Sequence, residues 1–249
     1  MITVKGPEEF AKMRKAGIVV ARIHSELQEA AKPGVTLLEL DDLAAKIIAD
    51  AGCTPSFLGY HGFPAHTCLS VNETIVHGIP DGRVLEEGDI LSVDAGAIYE
   101  GWHADAAVTF GIGEISDEAA RLIEVTRQAM WAGAEACVHR ARLGDIGATI
   151  EAVAHPHGYG IVREYTGHGI GRQMHEEPQV PNYGSPGRGM RVKEGMAICI
   201  EPMFNLGGDE TRVLDDGWSV VTADGSLSAH WEHTVAITPD GPQSLTVPE

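Results

Sequence analysis

Four acids and one imidazole stand in this chain where their types and spacing could do chemistry. Asp94 and Asp105 lie in LSVDAGAIYEGWHADAAVTF, residues 91–110, which reads as two apolar-alternating β-strands joined by a turn at Glu100-Gly101. The rest of each strand is mostly small and apolar. An ionised carboxylate is expensive to bury in such company, so it needs a proton, a cation or strong donors. No Lys or Arg occurs between Arg83 and Arg121. Two acids facing each other across a hairpin, with no local base, therefore point to a bound metal cation. The stretch alone leaves open that they are solvent-facing turn acids.

The second pair of acids comes from an internal repeat. LEEGDILSVDAG aligns without a gap with VKEGMAICIEPM, which sets Asp94 against Glu201, 107 positions later. DAAVTF, from Asp105, aligns with EHTVAI, from Glu232, 127 positions later, so the second hairpin is the longer. Residues 37–52 also match 143–158 at an offset of 106, Leu37 with Leu143, Leu40 with Ile146, Ile47 with Val153 and Gly52 with Gly158. Two halves built alike, residues 1–113 and 114–249 of a single domain, would bring Asp94, Asp105, Glu201 and Glu232 to one point if packed about a pseudo-twofold axis.

Four converging carboxylates repel, and one cation relieves only part of this. Two divalent ions would neutralise all four, and carboxylates bridge such ions at about 3.5–4 Å. An imidazole is available in TGHGIGRQMHEEP, where glycines flank His168 and leave its ring accessible. The alternative for His168 is a loop histidine with a structural hydrogen bond. Oxygen-rich ligation with one imidazole suits Mn, Fe, Co or Zn. The glycines around His168 do not form a dinucleotide fingerprint, no phosphate-binding Gly-Lys-Ser/Thr follows, and no serine sits in a nucleophile-elbow pattern. Cys68 and Cys199 lie in apolar strand patterns and read as packing or pocket wall.

The elements that must position these groups are legible in outline. Apolar residues at helical spacing over 7–31 stop at Lys32-Pro33-Gly34, and Thr36 caps a second amphipathic helix ending at Gly52. Residues 53–66, CTPSFLGYHGFPAH, form a loop suited to lining a pocket, and a strand follows near Cys68–Val71. Ser116 begins a helix running to about His139, Asp145 caps another to about His155, and strands and loops follow from Tyr159. A formal charge of −18 over 249 residues argues against binding nucleic acid through its phosphates. No apolar run is long enough to span a bilayer, no signal-peptide core opens the chain, and the four cysteines lack paired spacing. A reducing cytoplasm is expected.

The set DAGAIYEGWHADAAVTF, YTGHGIGRQMHEEP, GMAICIEPMF and DGWSVVTADGSLSAHWEHTVAI closely resembles the type I methionine aminopeptidases, in their short bacterial form. The resemblance spans the whole chain, with Asp, Asp, His, Glu and Glu in family order. It implies the α/β pita-bread fold: two pseudo-symmetric halves with an antiparallel sheet and flanking helices. It implies two divalent metal ions, one held by Asp94 and Asp105 and one by Asp105, His168, Glu201 and Glu232, with Asp105 and Glu232 shared. Glu201 would also handle a water proton, His77 would contact substrate near the scissile amide and assist proton transfer, and His175 would stabilise the oxyanion. Tyr60, Phe63, Cys68, His77 and Trp218 match positions lining a pocket for an unbranched thioether side chain. Phe57 and Met174 depart from the commonest bacterial pattern, which leaves pocket shape open. The implied substrate is the initiator methionine of nascent proteins whose second residue is small. A monomer in transient contact with the ribosome is expected, although no basic docking tail is visible. The rival of the same fold is a proline-directed peptidase; the rival of another class is a binding module that has lost its metals.

Overall fold

A computed structural model describes residues 2–248, so Met1 and Glu249, the ends of the expected domain, lie outside the described residues. The amino-terminal part contains α1 (Pro7–Ala30), α2 (Leu37–Asp50), β1 (Thr54–Pro55), β2 (Thr67–Val71), β3 (Thr74–Val76), β4 (Ile90–Tyr99) and β5 (Trp102–Gly111). Then come α3 (Asp117–Glu135), α4 (Leu143–Ala154), β6 (Gly160–Ile161), β7 (Gly167–Gly169), β8 (Glu176–Val180) and β9 (Ala197–Ile200). The chain closes with β10 (Met203–Asn205), β11 (Thr211–Val213), β12 (Val220–Thr222), β13 (Ser228–His230), β14 (Glu232–Thr238) and β15 (Gly241–Ser244).

The central sheet is antiparallel and runs β1-β4-β5-β14-β9-β7-β8, with β2 paired to β4 and β15 to β14. Strand alternation divides its residues by face. Leu91, Val93, Ala95 and Ala97 of β4, with Ala104 and Ala106 of β5, pack under α1 and α2. Ile198 and Ile200 of β9, with Val235 and Ile237 of β14, join α3 and α4. Asp94, Asp105 and Glu232 occupy the intervening positions, on the opposite face of their strands.

The β4–β5 turn falls at Glu100-Gly101, both with positive φ (48° and 79°), the backbone a two-residue hairpin loop requires. The two acids, expected from the sequence to face each other across the hairpin, are not directly opposed by the register: Asp94 pairs with Ala107 and Asp105 with Gly96. They are diagonal neighbours on one face.

Two helix ends differ from expectation. α3 stops at Glu135, and the following turn places Arg140 at φ 73°. α4 is capped at Arg142, not Asp145; Asp145 sits a turn inside and accepts from the Arg142 backbone N–H at 2.7 Å. Glu39 does the same for the Thr36 N–H of α2 at 2.8 Å, so the aligned segments 37–52 and 143–158 start with one device.

Candidate active site

The acids meet along one row of the sheet. Asp94 on β4 is opposite Ala107 on β5, and Ala107 is opposite Glu232 on β14. On β9 the pairing of His233 with Ile200 carries the row to Glu201, the residue after the strand end. Asp105 lies two residues from Ala107, on the same face. Its backbone is fixed by the Thr234 hydroxyl, which accepts from Asp105 N–H (3.0 Å) and donates to Asp105 C=O (2.8 Å). Asn182 Nδ2 donates to the Glu201 carbonyl at 3.0 Å.

His168 enters from β7. Its Nε2 lies 3.6 Å from Glu201 Oε1 and 4.0 Å from Glu232 Oε1. Ligating atoms of Asp105, His168, Cys199 and Glu232 fall within 4.8 Å of one another, as do those of Glu201, His230 and Glu232. Asp105, Glu201 and Glu232 are buried, while Asp94 reaches a cavity of about 320 Å³. No Lys or Arg lines that cavity. Asp94 Oδ1, Asp105 Oδ1, Glu232 Oε1 and His230 Nε2 are buried without a hydrogen-bond partner.

Burial dominates the electrostatics. It raises Asp94 to about 7. Asp105, Glu201 and Glu232 are pushed well above the carboxylate range, first by burial and then by the neighbouring acids. Burial lowers His168 and His230 to about 3. Neutral imidazoles facing acids that cannot all ionise together, with orphaned oxygens among them, fit a divalent cation site. Cys199 is fully buried, does not reach the cavity, and has a thiol pushed well above its usual range by burial and then by Glu232.

The cavity's other wall is apolar. Phe57, Phe63, Ala65, Cys68 and Met174 form a buried cluster, against which Tyr60, Ile79 and Trp218 pack. Phe63 meets Trp218 edge-on, with ring centroids 5.1 Å apart. Asp41 of α2 accepts from Thr67 N–H at 2.8 Å and from the Thr67 hydroxyl at 2.7 Å, fixing the strand that carries Cys68. Tyr60, Phe63, Cys68, His77 and Trp218 all line the space, together with Phe57 and Met174.

His77 and His175 line the same cavity. His77 holds a left-handed backbone (φ 60°), uncommon for a residue with a side chain. Its ring stands edge-on to Tyr165 and Trp218, and burial lowers its pKa to about 4. His175 is exposed, lies 4.2 Å from the His168 ring centre, and places Nδ1 2.8 Å from the Tyr60 hydroxyl.

The structure thus brings every ligand, catalytic and pocket residue expected from the sequence to one cavity, with Cys199 left in the packing beside it. It adds His230, whose Nε2 is 3.8 Å from Glu201 Oε2 and 4.0 Å from Glu232 Oε2. His230 ends β13 and Glu232 opens β14, so a histidine two residues before a predicted ligand is the signal that could have exposed it.

A model of metallopeptidase family M24 matches residues 11–239. Methionine aminopeptidase from Clostridium acetobutylicum is 52% identical over 250 residues, covering 100% of both chains. Methionine aminopeptidase from Thermotoga maritima superposes with a TM-score of 0.97 at 43% identity, covering 99% of this chain and 100% of that one. That likeness makes the architecture the pita-bread fold expected from the sequence. The prolidase from Pyrococcus furiosus aligns at TM-score 0.78 and 23% identity, over 99% of this chain and 66% of its own, a likeness of fold alone.

Proposed function

The chain belongs to metallopeptidase family M24 and within it to the methionine aminopeptidases, and on that premise we propose that it hydrolyses the amino-terminal methionine from nascent proteins whose second residue is small. The supporting observation is the meeting of four carboxylates and His168, with no cationic side chain among them, beside an apolar cavity.

Asp94, Asp105, His168, Glu201 and Glu232 would hold two divalent ions, drawn from Co, Mn, Fe and Zn, with Asp105 and Glu232 shared. When bound, the ions supply Lewis acidity and bring the pKa of water to near neutrality. The pocket of Phe63, Cys68 and Trp218 takes the methionine side chain by its apolar surface. Glu201 takes up the proton released as the peptide carbonyl is attacked. His77 stands beside the scissile amide. His175 donates to the carbonyl oxygen as its negative charge grows. A Tyr60 hydroxyl donating to Nδ1 leaves the His175 proton on Nε2, the tautomer this role needs.

No helix among the described residues is long and apolar enough to cross a membrane. We place the protein in the cytoplasm, as a monomer that meets chains leaving the ribosome without binding RNA, since its formal charge is −18. The test is metal titration of Met-Ala-Ser hydrolysis by metal-free protein, with an Xaa-Pro peptide in parallel. Mn or Co should restore cleavage of the methionyl peptide and leave the Xaa-Pro peptide intact. Comparable Xaa-Pro cleavage, or no activity with any of the four metals, would overturn the reading.

A further inference from the structure

Lys5 is 4% exposed, and its Nζ lies 3.0 Å from Glu176 Oε2, with side chains 2% and 7% exposed. A buried ion pair is weak as a source of stability, since desolvation offsets the attraction, so its use lies in the geometry it fixes. Here the carboxylate braces a loop. Glu176 Oε1 accepts from Arg172 N–H at 2.9 Å and Gln173 N–H at 3.3 Å, and Oε2 also receives the Thr3 hydroxyl. A Cβ on Gly171 would stand 2.7 Å from both Glu176 Oε1 and Lys5 Cε, so segment and loop are in close contact.

The segment carrying Lys5 is itself fastened. Lys5 N–H donates to Gly195 C=O at 2.7 Å. On the loop's far side, His103 N–H donates to Gly171 C=O at 2.8 Å. The loop ends at His175, the residue before Glu176. His175's contacts with Tyr60 and His168 orient its ring, whereas the Glu176 carboxylate holds the Arg172 and Gln173 backbone of the loop that leads to it.

We propose that Lys5 is a positioning residue for His175, pinning the 171–176 loop through Glu176 so that the imidazole keeps its place over the acids. The proposal rests on the reading of His175 as the group that meets the substrate carbonyl. Lys5 touches neither the acids nor the cavity.

The test compares kcat and KM for Met-Ala-Ser in metal-loaded wild type, Lys5→Met, Lys5→Arg, His175→Ala and the His175→Ala/Lys5→Met double variant. Lys5→Met should lower kcat by about tenfold to a hundredfold, the scale for a small misplacement of a catalytic group. KM and metal stoichiometry should stay near wild type, and Lys5→Arg should recover most of the loss. In the His175→Ala background the Lys5 substitution should cost less than about twofold, because groups acting as a unit are not additive. Wild-type kcat in Lys5→Met, or an equal loss in both backgrounds, overturns the proposal. If Lys5→Met does not fold, Glu176→Gln is compared in the same two backgrounds, since it removes the carboxylate that Lys5 holds: a kcat loss confined to the His175 background supports the proposal, and any other pattern overturns it. Full kcat in His175→Ala would instead sink the assignment of His175, a distinct failure.

Discussion

Metal loading should expel protons, and the acids rather than the imidazoles should supply them. Without an ion, burial holds Asp94 at about 7 and pushes Asp105, Glu201 and Glu232 well above the carboxylate range. His168 and His230, at about 3, are already neutral at pH 6 and have nothing to release. A cation binds the ionised carboxylates, so lowering the pH must weaken it. With a pKa of about 7, Asp94 is ionised in about one molecule in eleven at pH 6 and about ten in eleven at pH 8. That group alone lowers the apparent affinity about tenfold over the two units, about 1.4 kcal/mol, and the other acids act in the same direction. Calorimetric titration of Mn2+ into metal-free protein at pH 6, in two buffers of different protonation enthalpy, counts the protons. At least about one per chain should leave, because Asp94 is protonated in about ten molecules in eleven at that pH and the other acids add to it. A count near zero, or an affinity unchanged between pH 8 and 6, would mean that the acids are ionised without a cation, and the account of this site by burial would be wrong.

Three substitutions test other parts of the site and its support. Glu232→Gln should weaken metal binding by more than about a hundredfold, beyond the range for a ligand's supporting partner; full turnover with added metal would remove Glu232 from the shared position. Gly96→Ala would set a Cβ 2.8 Å from Ser56 Cβ and 2.9 Å from Phe57 Cε1. Phe57 should then shift into the pocket and lower kcat/KM for Met-Ala-Ser about tenfold, the worth of a one-methylene misfit; unchanged specificity would show that the pocket yields elsewhere. Gly147→Ala would place a Cβ 2.2 Å from the Tyr183 carbonyl oxygen and 2.6 Å from its carbon. Because these atoms are backbone, the overpacking should cost about 1–3 kcal/mol and lower Tm by about 2–10 °C, with kcat at 25 °C unaltered.

What the sequence disclosed, and what it hid, follows from the range of each signal. Alternation in 91–110 needs only neighbouring residues, and β4 and β5 appear where it places them. The gapless match of Asp94 with Glu201 required only one chain compared with itself. Register is a property of two strands, so the diagonal placement of Asp94 and Asp105 could not be read from either alone. The end of α3 at Glu135 carries no local signal, since Ala136 and Cys137 favour no particular stop. Asp145 reads as a cap because Asp commonly occupies that position, yet here its carboxylate lies one turn inside the helix and accepts from the backbone N–H of the cap residue, Arg142. His230 was hidden by its setting in AHWEH, where Trp231 draws attention as the aromatic and Glu232 as the acid.

The register also explains why a small residue stands at the centre of the acidic row. Residues directly opposite in an antiparallel sheet share a face, with Cβ atoms about 4.5–5.5 Å apart. Asp94, Ala107 and Glu232 are such a series across three strands, so any side chain at 107 projects between the two acids. Alanine, fully buried there, stops at Cβ and leaves the space above it to the carboxylates converging from both sides. A leucine would fill that space with methyl groups and separate Asp94 from Glu232 while leaving each strand's hydrogen bonds intact. The metal-facing volume is therefore set by Ala107 as much as by the acids. For the same reason, a search for ligand types alone cannot find the residue that keeps their meeting point open.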